Sequence, residues 1–93
     1  MPEVSKTRLE QTLYAEYPSL RHYCEKMRGD KSAQTPESLR SIWDVDMAEV
    51  SKIARKLVEI GFFEERIVKD VQVYWVPFLY RDALELVQGT AID

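Results

Sequence analysis

A histidine and a cysteine stand two residues apart, at His22 and Cys24, and the 93-residue chain has no other residue of either type. They suggest two candidate chemistries. One is a metal site built from His, Cys and carboxylate ligands, and the other is a thiol nucleophile activated by a neighbouring base. Side chains two residues apart on a helix point in different directions. Cys24 also falls on an apolar helical stripe, where a thiol is buried and inert. We predict a solvent-facing His22, a core Cys24 and no metal.

Paired carboxylates raise a third chemistry, general acid–base catalysis. Asp44 and Asp46 form one pair, and Glu64 and Glu65 form another. The first pair falls in a predicted turn that caps a helix, and the second begins an exposed strand, so structural roles are favoured for both. The chain also lacks the Gly-rich loop followed by Lys and Ser or Thr that cradles the phosphates of ATP. We therefore predict no enzyme activity, no cofactor and no small-molecule substrate.

Cations along one predicted helix are the remaining candidates for function. Asp46 can cap this helix and Gly61 can end it, so the pattern predicts a helix over residues 47–60. At about 100° per residue, the apolar residues share one side, and they include Val50, Ile53 and Leu57. The opposite side carries Ser51, Lys52, Arg55 and Lys56, and the hairpin that follows adds Arg66 and Lys69.

Other elements must position this helix. Apolar residues at helical spacing run over about Ser5–Arg28, and Pro18 predicts either two helices or one kinked helix. Residues 29–34 are predicted to be a polar linker. Thr35 then caps a short helix that begins with proline. Residues 44–46 form the turn into the long helix.

Two β-prone segments follow the long helix and flank a turn at Lys69-Asp70, which predicts a hairpin that ends at Pro77. Residues 78–88 have helical spacing again, and Gly89 closes that helix. Among the many aromatic residues, we expect core positions for Trp43, Phe62 and Trp75, and exposure of Tyr74 or Tyr80.

The order of short helix, tight turn, amphipathic helix and hairpin resembles a winged helix-turn-helix domain over residues 35–78. The resemblance is carried by Leu39, Ile42, Trp43, Val50, Ile53, Leu57, Ile60–Phe63 and Val73–Val76. It implies a fold that is mainly α with a small antiparallel β-hairpin, in which residues 35–89 form the core and residues 1–30 form an N-terminal helical extension.

In a helix-turn-helix, the second helix enters the major groove of double-stranded DNA. Arg55 is then expected to reach a guanine in a bidentate way. Contacts to phosphates or to the DNA backbone are expected from Ser51, Lys52, Lys56, Arg66 and Lys69. The alternative is an ordinary solvated helix face whose cations pair with the glutamates of the same helix.

The last third of the chain carries a narrower resemblance. GFFEER and VYWVPFLYRDALELVQGTA are similar to the winged-helix segment that closes a group of bacterial P-loop ATPases of poorly known function. The resemblance implies that this chain is a fragment or the C-terminal domain of a larger ATPase whose catalytic module is missing.

The N-terminal stripe supports a different class of function. It is longer than a small winged helix needs for its own core, so part of it is expected to contact a second copy or a preceding ATPase domain. The predicted partner interface consists of Leu9, Leu13, Tyr17 and Leu20. Winged helices also serve protein contact, so the fold does not decide between DNA and a protein partner.

The composition restricts these alternatives only weakly. The net charge of −3 and the pI of about 5.2 argue mildly against a dedicated nucleic-acid binder. A single cysteine cannot form an internal disulfide, which favours a reducing compartment. No apolar run reaches the length of a membrane helix. We expect a cytoplasmic protein without membrane contact.

Overall fold

Pro18 divides the N-terminal helical region into two pieces, which is one of the two outcomes that its position predicted. The computed structural model describes residues 9–87, with a π-helix at Leu9–Tyr14 and helix α1 at Pro18–Lys26. Proline is tolerated as the first residue of α1 because a backbone N–H has no helical partner there. The predicted start at Ser5 lies outside the described residues.

Two capped helices and a tight turn form the middle of the chain, as predicted. Helix α2 spans Pro36–Trp43, and Thr35 caps it by accepting a hydrogen bond from the Ser38 amide at 3.2 Å. Helix α3 spans Met47–Glu59, and its cap Asp46 accepts from the amide of Glu49 at 2.9 Å. The chain leaves α3 through a glycine with a φ of +87°, a conformation that favours this residue.

The predicted hairpin is present and has a third strand beside it. Strands β2 (Glu64–Val68) and β3 (Val71–Trp75) are antiparallel and joined by a two-residue turn. Strand β1 (Ala33–Gln34) pairs with β3, so the strand order is β1-β3-β2. The prediction of a polar linker at residues 29–34 is therefore wrong for Ala33 and Gln34, because β3 offers these two residues a partner and they are buried.

The last predicted helix is much shorter than the sequence indicated. Helix α4 spans only Phe78–Arg81, although helical spacing continues to residue 88. Hydrogen bonds to other parts of the chain replace it: the Gly29 amide donates to the Leu84 carbonyl at 2.9 Å, and the Val87 amide donates to the Asp30 carbonyl at 2.9 Å. These long-range hydrogen bonds determine the backbone conformation of this segment, although the helical spacing of its apolar residues favours a longer helix. The predicted stop at Gly89 lies outside the described residues.

One hydrophobic core joins the N-terminal region to the helices and the sheet. Leu9, Leu13 and Leu20 are buried in this core, with Leu13 only 3% exposed, and Tyr17 packs against it. A partner interface was predicted at these four residues because the stripe seemed to have more apolar surface than one domain needs. The chain buries that surface in its own core. That interface is corrected accordingly: a partner could reach the three leucines only if the helices moved apart.

The aromatic predictions were partly right. Trp43 and Phe62 are buried, whereas Trp75 is only half-buried. Tyr74 and Tyr80 are both buried, because Tyr74 stacks on Phe63 and Tyr80 stacks on Phe62. These rings link the hairpin and α4 to the core.

A polar network fastens the π-helix and the C-terminal segment to α1. The Tyr14 hydroxyl donates to Glu25 at 2.6 Å, and the Arg28 guanidinium donates to Glu25 at 2.9 Å and to the Ala83 carbonyl at 3.1 Å. Burial raises the pKa of Glu25, but the hydrogen bonds from Tyr14 and Arg28 outweigh burial and hold this pKa below its usual value of 4.5. The ionised carboxylate therefore stabilises the fold.

We expect acid to weaken the fold through Glu25. A lowered pKa means that the stabilisation is present above the pKa of the unfolded chain and is lost as pH falls through the folded value. The free energy of unfolding should therefore drop as pH decreases below about 4.5, and Glu25→Gln should make it less dependent on pH there. Urea titrations at several pH values test this, with the exposed Glu16→Gln as the matched control. Equal acid sensitivity of Glu25→Gln and the wild type would contradict it.

Candidate nucleic-acid interface

The outward face of α3 carries the predicted polar residues. The inward face is anchored in the core by Val50, Ile53 and Leu57, as their spacing predicted. The residues on the exposed side are Ser51, Lys52, Arg55 and Lys56. Because the anchoring residues fix the rotation of the helix about its axis, this row has a defined direction relative to the rest of the domain.

The cations of this row differ in how far they are neutralised. Lys56 Nζ lies 3.8 Å from a carboxylate oxygen of Glu59 and 5.1 Å from the centre of the Tyr17 ring. In the part of the chain that the structure describes, Lys52, Arg55 and Lys69 have no carboxylate oxygen within 4.0 Å. These three charges are therefore available to a ligand, while Lys56 is partly compensated.

A polar cleft separates α3 from the hairpin. Its volume is about 370 Å³, and it is lined by Ser51, Arg55, Val58, Glu59, Glu65, Gln72 and Tyr74. Burial raises the pKa of Tyr74 and the Glu65 charge adds to this effect, whereas the nearby Arg55 charge opposes it. Arg55 thus stands at the edge of a cleft that also holds two carboxylates.

A second, mostly apolar groove lies on the other side of the cation row. It measures about 340 Å³ and is lined by Leu20, Lys52, Ile53, Arg55, Lys56 and Glu59. The aliphatic parts of the lysine and arginine side chains contribute to its walls, as is usual for long charged side chains. Arg55 borders both depressions and is the most central cation of the face.

The two hairpin cations do not join this row equally. Glu65 lines the cleft beside α3, so Arg66, its neighbour in β2, points to the opposite face of the sheet. The Arg66 guanidinium lies 2.9 Å from a Glu64 oxygen and 5.7 Å from the centre of the Trp75 ring. The structure therefore separates Arg66 from Arg55. Lys69 sits in the turn at the tip of the hairpin, with a φ of 51°.

Sequence reasoning allowed for pairing with Glu59 but missed a second carboxylate near the cations, Glu65. Glu65 was assigned to an exposed strand, and only the pairing of β2 with β3 brings it to the cleft beside Arg55. The strand alternation of Glu65 and Arg66 was the available signal, because it sends one of the two to the α3 side and the other away from it.

The histidine and the cysteine have the surroundings that the sequence predicted. Cys24 is fully buried, and this burial, together with the charge of Glu25, raises the pKa of the thiol to about 12. His22 is exposed, with its ring edge against Tyr23. Within residues 9–87, no three His, Cys, Asp or Glu side chains are grouped as a metal site requires. No helix of this same range has both the length and the apolar character to cross a bilayer.

No protein-family model, curated protein or solved structure matches this chain. The arguments for its function therefore come from the geometry and charge of its own surface.

Proposed function

We propose that residues 35–78 form a winged helix-turn-helix module that contacts double-stranded DNA through the outward face of α3. The order α2-α3-β2-β3 supports this, and β1, directly before the module, adds a third strand in the order β1-β3-β2. The three-residue connection from α2 to α3 also supports it, because a tight turn is what holds the two helices of this motif at a fixed angle. In this proposal, α3 is the helix that enters the major groove.

The observation that carries the proposal is a row of cations on a helix whose opposite face is buried. Among the described residues, Lys52 and Arg55 have no carboxylate oxygen within 4.0 Å, and Ser51 adds a hydroxyl near the N-terminal half of α3. Arg55 is the candidate for a guanine edge, and Lys52 and Lys56 are candidates for phosphates. Lys69 at the hairpin tip would meet the neighbouring backbone, whereas Arg66 has no part in the revised interface.

The decisive experiment reverses two charges on α3. We expect Arg55→Glu/Lys56→Glu to abolish retardation of duplex DNA in a gel, because it replaces two attractive contacts with two repulsive ones. With about three to four phosphate contacts, wild-type affinity should also fall roughly 40- to 150-fold between about 50 and 200 mM salt, because counterions are released on binding.

The control reverses two exposed cations outside α3, in the variant Lys31→Glu/Arg40→Glu. It changes the net charge by the same amount and should leave most of the affinity intact. Both double variants should keep the melting temperature of the wild type within about 2 °C, since exposed substitutions cost little stability. No retarded band for the wild type at about 50 mM salt, or equal losses in the two variants, would contradict the DNA proposal.

A protein-contact function is the second candidate, and the carboxylates of the same face favour it. Glu59 and Glu65 line the cleft beside Arg55, and Glu59 pairs with Lys56. A face of mixed charge next to an apolar groove suits a protein better than a uniformly negative duplex. The resemblance to ATPase C-terminal segments suggests the partner, an ATPase module to which this domain would be joined. This function predicts no DNA retardation and an affinity for that module that Arg55→Glu/Lys56→Glu lowers.

A further inference from the structure

Glu65 is held beside α3 by the pairing of β2 with β3. It stands opposite Tyr74 in the strand register, and the Gln72 side-chain amide donates a hydrogen bond to Glu65 Oε2 at 2.8 Å. These residues line the polar cleft together with Ser51 and Arg55 of α3. A carboxylate offers about four acceptor sites, so the bond from Gln72 orients Glu65 and leaves acceptor capacity for a ligand.

The charge of Glu65 is exposed and has no cation to compensate it. Within residues 9–87, no cationic nitrogen lies within 4.0 Å of its carboxylate. Glu59, the other carboxylate of the cleft, differs because it lies 3.8 Å from Lys56 Nζ. Arg55 and Glu65 therefore present separate, opposite charges in one cleft, instead of neutralising each other in a pair.

These two charges act differently on a duplex. Arg55 attracts phosphates and can read a guanine edge, whereas a carboxylate repels the phosphates of every sequence. In the major groove, the N4 amino group of cytosine is a donor, and Asp or Glu is the side chain that accepts from it. The repulsion from Glu65 is therefore offset only at sequences that place such an amino group within its reach.

We propose that Glu65 is a specificity-determining residue of the α3 face, which accepts a hydrogen bond from the N4 amino group of a cytosine close to the guanine that Arg55 contacts. Glu65 then lowers the affinity for duplexes in general and favours those with the correct cytosine. This inference rests on the proposed DNA-binding function and assigns part of its sequence preference to the hairpin, through a residue that carries the wrong charge for phosphates.

Binding-site selection from a random pool of duplexes tests the base preference. The wild type should select a guanine with a cytosine at a fixed spacing from it. Glu65→Gln should keep the guanine and lose the cytosine, because an amide at this position also presents donors, whereas only the carboxylate matches a donor base edge on both oxygens. Glu64→Gln is the matched control, because Glu64 is the neighbouring residue of β2 and lies 2.9 Å from Arg66 on the opposite face. It should select the wild-type sequences.

Affinities for two duplexes test the repulsion. For a duplex without the selected site, Glu65→Gln should bind about twofold or more tightly than the wild type, since one repulsive charge is removed. For the selected site, the same variant should bind about fivefold or more weakly, the usual effect of one mismatched base pair. Glu64→Gln should leave both affinities close to those of the wild type.

The outcomes separate this inference from the function on which it rests. Without retardation of any duplex by the wild type, both are overturned. Retardation by the wild type, together with identical selected sequences for Glu65→Gln and the wild type, overturns the role of Glu65 and leaves the DNA-binding function standing. So does a Glu65→Gln variant that binds the unselected duplex no more tightly than the wild type.

Discussion

Trp43→Ala is expected to lower the free energy of unfolding of this domain strongly. The Trp43 ring is 1% exposed, meets the Tyr23 ring edge-on at 5.6 Å and stacks on Phe63 at 6.3 Å. Its indole Nε1 donates to the Tyr23 carbonyl at 2.9 Å. Removing such a ring costs about 3–5 kcal/mol. A domain of this size has a total stability of about 5–10 kcal/mol, so at least about a third of it would be lost.

Two further variants separate the contributions of the Trp43 side chain. Trp43→Phe keeps a ring against Tyr23 and Phe63 but removes the donor to the buried carbonyl, which should cost about 1–3 kcal/mol. Trp75→Ala removes a half-buried ring and should cost less than Trp43→Ala. Urea unfolding followed by far-ultraviolet circular dichroism measures all three without depending on tryptophan fluorescence. A smaller loss in Trp43→Ala than in Trp43→Phe would contradict the central role of this ring.

Leu57→Ala is the second change with a large expected effect. Leu57 is fully buried on the inward side of α3, and its carbonyl accepts the amides of Phe62 at 2.9 Å and Phe63 at 3.1 Å. The backbone bonds survive the change, but the missing side chain leaves a cavity between α3 and the core. We expect the free energy of unfolding to fall by about 2–5 kcal/mol.

The neighbouring residue supplies a matched control that separates stability from binding. Lys56→Ala alters the outward side of α3 and should change the free energy of unfolding by less than about 0.5 kcal/mol. At a temperature where both variants are folded, DNA affinity should fall for Lys56→Ala and stay unchanged for Leu57→Ala. Urea unfolding and gel retardation on the same samples measure the two quantities. Equal stability of the two variants would contradict the inward rotation of Leu57.

The helices of the middle region were predictable because their signals are local. Thr35 before Pro36 and Asp46 before α3 are caps that act within one helical turn, and the structure uses both. The break at Pro18 follows from its missing N–H in the same way. The sequence also predicted which side of α3 faces inward. A 13-residue helix with one apolar stripe is stable only when that stripe faces the core.

The elements that the sequence did not reveal depend on distant partners. Strand β1 has two residues and no periodicity of its own, and it forms because β3 lies beside it. The helix predicted after Arg81 does not form, because this segment instead bonds to the Gly29 amide and the Asp30 carbonyl, which are more than fifty residues away. Such contacts are fixed only once the whole core is assembled.

The candidate interface was predictable on the helix and less so on the hairpin. The row at Lys52, Arg55 and Lys56 follows from helical rotation alone. To place Arg66, one must know the register of β2 on β3 and which face of the sheet packs towards α3. The short segment EERIV contains neither piece of information. For the same reason, the alternation of Glu65 and Arg66 did not by itself decide which of the two would stand beside Arg55.

The bridge between Lys31 and Val87 limits how copies of this chain can add to one another. Val87 runs parallel to the residues that lead into β1, so that border of the sheet is both short and flanked by the chain itself. A sheet with two free borders can grow into a fibre, because each added copy offers a new place for the next. Because Val87 already bonds to the segment before β1, a further copy would find fewer unpaired backbone groups at that border than along β2.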